Sequence, residues 1–171
     1  FDIDRRLIKY INKVTAREGL KVKAYVYDLT ESIPKEFTRT FDVFLTDPTP
    51  NREAFSLFVS VGLNLLKDGE EKVGYVSFFP SHQKITIDFQ EVLTEKKIII
   101  TDMLPKFTEY DYIKETYSKN DFDLLKKFDS NMPRLSFYEN LTRFETIEKT
   151  VKTIDKVGKS EILGKATKRV L

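Results

Sequence analysis

Cysteine and tryptophan are missing from this 171-residue chain, and histidine occurs once, at His82. The absence of cysteine excludes disulfides, thiolate metal sites and cysteine nucleophiles. A single histidine leaves no multi-histidine metal site and argues against a histidine-based relay, so no metal centre is expected. No run of 18 apolar residues occurs, so no segment suits a helical membrane span. No secretory leader opens the chain, which starts at Phe1, and a cytoplasmic setting is expected. An excess of either charge is lacking as well: 29 Lys+Arg stand against 27 Asp+Glu, a net of +2. General binders of phosphate backbones carry a large basic excess, so neither nucleic acid nor a membrane is an expected partner.

What is present describes a globular protein. Hydrophobic residues make up 40% and charged residues 33%, and the length suits one domain with a substantial core. The basic residues are 21 Lys and 8 Arg, a bias that fits a thermophilic cytosolic source and an AT-rich genome equally.

The hydrophobic period switches repeatedly. Residues 1–4 read as the end of a strand, and residues 5–18 set Leu7, Ile11 and Val14 on one helical face, with Gly19 as a stop. Residues 21–27 alternate as a strand, and 41–47 form another. Pro50 suits the first position of a helix to about Lys67, with Phe55, Phe58, Val59, Leu63 and Leu66 inward. The apolar run 73–79 marks a strand buried on both faces, 84–96 a helix, and 97–104 a second buried strand stopped by Pro105. Strands alternating with helices imply an α/β fold on a mostly parallel sheet. After Pro105 the rhythm breaks: a short helix is expected over 121–129 and a strand over 134–146. That last strand returns without a crossover helix, so it is expected antiparallel, at the sheet edge. From Ile147 a basic tail carries a net of +4, leaving −2 for residues 1–146, and is expected as a solvated helix with a frayed end.

The acids fall where strands end: Asp2 and Asp4, Asp28, Asp47 and Asp102. Open α/β sheets bind ligands beyond the carboxyl ends of their strands, and a carboxylate there can accept both hydroxyls of a ribose. A single acid at such a place is commonly just solvated, but four acid-bearing strand ends on one edge favour a ligand cleft holding an adenosine-type molecule at Asp2 and Asp4, with Asp28 opposite. Proline is scarce, six in all, yet two fall in Asp47-Pro48-Thr49-Pro50. Those prolines freeze the turn, and the helix that follows aims its positive end at the site. Asp47 could there hold an amine and take its proton, which must leave before the amine can attack. It could equally serve as a helix cap. The stretch Phe107, Glu109, Tyr110, Asp111, Tyr112, Glu115 and Tyr117 mixes carboxylates with aromatic faces, a combination that suits a polycation and also an ordinary surface loop. His82 borders the same edge but reads as structural or solvated.

FDID followed by RRLIKYIN, then YDL, FDVFLTDPTP, VGYVSFF, IIITDMLPKFTEY and LSFYENLTRFET resemble, in order and spacing, the C-terminal catalytic domain of the branched-chain polyamine synthases, the bis(aminopropyl)spermidine synthases. The resemblance runs from Phe1 to about Thr146, and its most specific parts are the TD-DP turn and the ITDMLP-F-x-EY segment. It implies a methyltransferase-like Rossmann sheet with strand order 3-2-1-4-5-7-6, mostly parallel with the last strand antiparallel. It implies transfer of an aminopropyl group from decarboxylated S-adenosylmethionine, a co-substrate needing no metal, to spermidine-type polyamines. Asp47 would then be catalytic, Asp2, Asp4 and Asp28 would hold the nucleoside, and Pro48, Glu109, Tyr110 and Glu115 would line the polyamine channel. A homodimer is expected of the full-length protein.

Two departures accompany the resemblance. Thr49 stands where the family usually has a second proline. The family's first strand and acidic glycine loop, which precede FDID, are not in these residues, so the sheet is expected to be incomplete at its N-terminus, Phe1 to be a cut edge, and the segment to be inactive and poorly stable alone. Two other functions fit the same residues: an S-adenosylmethionine-dependent amino-methyltransferase, and a non-catalytic nucleoside- or polyamine-binding module.

Overall fold

Local signals decide where the helices start. In the computed structural model, which describes residues 1–80, 83–111 and 136–154, helix α1 (Arg5–Glu18) begins at Asp4, whose side chain accepts from the Arg6 amide. It ends at Gly19, whose φ of 63° is a left-handed conformation open to glycine. Its inward face is Ile8 and Thr15, with Leu7 exposed. Of the expected stripe, Ile11 and Val14 are half-buried, while Ile8 takes the inward place expected of Leu7. After strand β1 (Val43–Thr46) comes helix α2 (Arg52–Leu65). Asn51, not Pro50, begins α2: its Oδ1 accepts from the Ala54 amide at 2.8 Å. Replacing Asn51 by Ala should cost about 1 kcal/mol, read as a lower denaturation midpoint with an unchanged slope.

Strand β2 (Val73–Phe78), helix α3 (Gln83–Glu95), strand β3 (Ile98–Asp111) and strand β4 (Ser136–Thr146) complete the described elements. The sheet order is β1-β2-β4-β3. β1 and β2 are parallel, and β4 runs antiparallel to both of its neighbours, so β3 is parallel to β1 and β2. The parallel sheet with an antiparallel last strand is as expected, and β1-β2-β4-β3 matches the 4-5-7-6 part of the order the resemblance implies, but β4 is not at the edge where the missing crossover helix alone would put it. It inserts between β2 and β3, where it finds hydrogen-bond partners on both sides.

That insertion makes β3 the edge strand and corrects two expectations. β3 is not buried on both faces: Ile99 is 52% exposed and Met103 44%. Nor does Pro105 end it, because the pairing with β4 slips between Leu104 and Thr108 and then resumes to Asp111. A proline with no amide to donate is tolerated on such an irregular edge. Asp102 consequently lies in mid-strand, its Oδ1 accepting from the Met103 amide, and not at the carboxyl end.

The strands expected at 1–4 and 21–27 reduce to a single parallel bridge, Asp2 to Val26. Leu20, Val22 and Val26 stay exposed, so nothing covers this pair well enough to extend it. Among the described residues, the edge of β1 facing away from β2 has no strand partner. A cleft of about 260 Å³ runs beside it, lined by Phe1, Leu29, Val43, Leu45, Thr46 and Phe58 among others.

The core lies where α2 and α3 cover the sheet. Phe55, Phe78 and Phe89 form a triangle, with the Phe78 and Phe89 rings stacked at 4.5 Å and Phe55 meeting each at 5.3–5.6 Å. Val59, Leu63, Leu66, Val76 and Val92 fill in around them with no exposed surface. Residues 147–154 are not helical; Lys96, buried, donates to Thr153 O at 2.9 Å, and Val151 N to Lys96 O at 2.9 Å, pinning the segment back. His82, Tyr112, Glu115, Tyr117, the 121–129 helix, Arg134 and the tail beyond Ile154 lie outside the described residues.

Candidate active site

Parallel β1, β2 and β3 end on the same side of the sheet, and antiparallel β4 begins there. The register sets the consequence: Ser77 and Phe78 close β2 opposite Leu141 and Asn140, and Thr108 to Asp111 close β3 opposite Glu139 to Ser136. Asp47 follows β1 directly. Four strand ends thus bring together Asp47, Ser77, Tyr110 and Glu139.

Their contacts form a chain. The Tyr110 hydroxyl donates to Asp47 Oδ2 at 3.3 Å and also bonds to Glu139. Ser77 Oγ donates to Glu139 Oε2 at 2.5 Å. Pro48 is buried and fixes the path of the chain just after Asp47. Burial pushes the Asp47 carboxyl above the ordinary carboxylate range, with the Tyr110 hydroxyl pulling the other way. Burial also raises Glu139, helped by the negative charge of Asp47 and opposed by the Ser77 and Tyr110 hydroxyls. Burial and the two carboxylates push the Tyr110 phenol up to about 12, so it keeps its proton at neutral pH.

Of the residues chosen from the sequence, Asp47, Pro48 and Tyr110 meet here. Glu109 neighbours Tyr110 on β3, so alternation sends it to the other face of the sheet. There its Oε1 accepts from the Tyr138 hydroxyl at 3.1 Å, and Lys106 lies over the Tyr138 ring at 5.4 Å. Asp2, Asp4 and Asp28 form a separate group beside the Phe1 end of the cleft. Asp2 Oδ1 accepts from the Asp4 amide at 2.7 Å. The Asp4 carboxyl is held down to about 2, first by the Arg6 side chain and then by the Arg6 amide. Asp28 Oδ1 accepts from the Thr30 amide and hydroxyl at 3.0 and 2.6 Å. The cleft is lined by Phe1 and Leu29, next in the chain to Asp2 and Asp28, and by Thr46, next to Asp47, while the four acids themselves do not line it.

Glu139 and Ser77 were not singled out from the sequence. Glu139 sits in an apolar strand pattern and Ser77 within the run VGYVSFF, and neither position announces chemistry. An acid interrupting a strand rich in aromatic residues was the available signal. Among the described residues no three His, Asp or Glu side chains converge as metal ligands would, and no helix is long and apolar enough to cross a membrane.

The sheet order and the antiparallel strand inserted next to the edge define a methyltransferase-like Rossmann fold. A candidate methyltransferase from Bacillus halodurans shares it with a TM-score of 0.56 at 13% identity, over 85% of this chain and 80% of that one. The family model for the branched-chain polyamine synthase A C-terminal domain matches residues 1–166, and the chain belongs to that family. The N(4)-bis(aminopropyl)spermidine synthase of Thermus thermophilus is 32% identical over 114 residues, which is 64% of this chain and 32% of that protein. The crystal structure of the branched-chain polyamine synthase from Thermus thermophilus, in complex with N4-aminopropylspermidine and 5'-methylthioadenosine, matches with a TM-score of 0.73 at 26% identity. That match covers 96% of this chain and 46% of the Thermus chain. The chain spans about a third of the length of the curated relatives it matches.

Proposed function

We propose that the protein containing this chain is an aminopropyltransferase that moves an aminopropyl group from decarboxylated S-adenosylmethionine to spermidine-type polyamines, making branched polyamines and releasing methylthioadenosine. The observation that carries this reading is the match, over nearly the whole chain, to a synthase crystallised with N4-aminopropylspermidine and 5'-methylthioadenosine. The Asp47 turn supplies the chemistry. A secondary amine of spermidine is protonated at neutral pH, and Asp47 takes that proton so that the nitrogen lone pair can attack the carbon next to the sulfonium. The C–N bond forms, the C–S bond breaks, and its electron pair stays on sulfur as a neutral thioether. Such a leaving group needs no Lewis acid, so the donor is a co-substrate and no further cofactor is required. The raised proton affinity of Asp47 brings it nearer to the working pH, where a general base is most effective.

In this reading Asp2, Asp4 and Asp28 flank the nucleoside end of the cleft. Asp4 acts there chiefly through its hold on the start of α1, and Asp2 and Asp28 face the donor. Tyr110 and Pro48 shape the amine site, while Glu109, on the opposite face of the sheet, is not assigned to it. The complete protein is proposed to be cytoplasmic and homodimeric; the exposed Ile99, Met103 and Phe107 on β3 provide an apolar edge for a second copy. An amino-methyltransferase remains the second reading, favoured by the shared methyltransferase fold.

Incubated with decarboxylated S-adenosylmethionine and spermidine, the complete protein should release methylthioadenosine and yield a branched polyamine, identified by mass spectrometry. Methylation of an amine from S-adenosylmethionine, with no methylthioadenosine formed from the decarboxylated donor, would establish the second reading.

A further inference from the structure

Transfer asks Asp47 to accept a proton, yet the fold sets a second carboxylate beside it. Glu139 is half-buried at the start of β4, is held from β2 by Ser77 Oγ at 2.5 Å, and bonds to the same Tyr110 hydroxyl that reaches Asp47. A phenol has one proton to donate. Between two ionised carboxylates it satisfies one and leaves the other against a lone pair and a like charge. The groups acting on the pair from the converging elements are the Ser77 hydroxyl of β2, the Tyr110 hydroxyl of β3 and the two carboxylates themselves. Among the described residues, none of the groups acting on the pair is a cation. The arrangement is thus satisfied by one added positive charge, either a proton or an ammonium group.

We propose that Glu139 is a positioning residue for the transfer reaction: with Asp47 it forms a carboxylate pair, bridged by the Tyr110 hydroxyl, that seats the acceptor ammonium and then retains the proton it gives up. The inference rests on the aminopropyl-transfer reading. While the ammonium lies against Asp47, both carboxylates are ionised and Tyr110 donates to one of them. As the N–H bond breaks, the proton passes to a carboxylate oxygen of Asp47. The Tyr110 hydroxyl keeps its own proton, aims it at Glu139, and accepts from the new Asp47 O–H. The freed nitrogen lone pair then forms the C–N bond, and the C–S pair departs on sulfur. Repulsion is mutual, so the charge on Glu139 strengthens Asp47 as a base just as Asp47 affects Glu139.

The test measures methylthioadenosine release by the complete protein from about pH 5 to 9. The base must be unprotonated, so activity rises with pH through the limb set by the pair. Glu139→Gln removes the repelling charge, and Asp47 then loses its proton at lower pH. The acid limb should move down by about one pH unit and kcat fall about tenfold, because the base is weaker, with KM for the donor unchanged. Glu139→Asp, which keeps the charge, should restore the limb at least in part. A purely structural role predicts a lower Tm or a higher KM with the limb in place, and that result in both variants would overturn the proposal. Wild-type protein that releases no methylthioadenosine at any pH would instead overturn the transfer reading and the proposal with it; wild-type turnover with an unmoved limb overturns the proposal alone.

Discussion

Asp47→Asn in the complete protein is expected to lower aminopropyl transfer by about 10²- to 10⁴-fold, the range usual for loss of a general base, while the affinity for the adenosyl donor stays within about twofold. The asparagine keeps the shape of the side chain and its contact with Tyr110 but cannot accept a proton from an ammonium group. The loss should therefore appear in kcat with little change in KM for the donor. The local structure should survive, because the turn is fixed by Pro48 and the start of α2 by Asn51. Steady-state kinetics with methylthioadenosine as the product and equilibrium binding of the nucleoside check both halves. An unchanged rate would remove Asp47 from the reaction and leave it as a turn residue.

The second large effect is on stability and comes from a glycine. Phe44 in β1, Gly74 in β2 and Phe144 in β4 lie in one row across three neighbouring strands. Two side chains separated by an intervening strand stand roughly 9–10 Å apart at ordinary strand spacing, yet the Phe44 and Phe144 rings meet at 5.5 Å. They do so by leaning over Gly74. A Cβ on Gly74 would come within 2.3 Å of Phe144 Cζ and 2.9 Å of Phe44 Cε1. Phe144 is wholly buried, and Phe44 is pressed from the far side by Gly62, so neither ring can swing away. Gly74→Ala should therefore destabilise the fold by about 3 kcal/mol or more, a fall of roughly 6–12 °C in Tm for a domain of this size. Adding Phe144→Leu should return part of the loss, since a smaller side chain frees the space. A G74A variant as stable as the wild type would show that the rings have room to repack.

Much of this molecule was legible in its residues because the information is local. The period of α2 and α3, the apolar run of β2 and the proline-fixed turn after β1 each depend on neighbours a few positions away. Asp47 and Tyr110 were also legible, since a carboxylate at a strand end and an aromatic–acidic stretch are visible in one dimension. The errors have one cause, which is that burial depends on what arrives from elsewhere. An apolar run looks the same in a central strand and in an exposed edge strand, so Ile99 and Met103 were read as interior. Likewise, Pro105 stops an interior strand but only kinks an edge. Residues 21–27 alternate as a strand should, but alternation requires a neighbour to pair with, and only one bridge forms.

The sequence by itself determined the α/β class, the helix starts and stops, and the placing of an acid, Asp47, at a proline-fixed strand end. Those follow from hydrophobic period, capping chemistry and turn residues, all short in range. Residue pattern alone puts β4 at the edge; strand pairing in the tertiary structure sets it between β2 and β3, as the family's strand order implies. That placement exposes β3, turns Glu109 away from Asp47, and brings Glu139 through Tyr110 to the carboxylate it now accompanies. Register is a property of paired strands, and the partner of Glu139 stands 31 positions earlier in the chain, at Thr108.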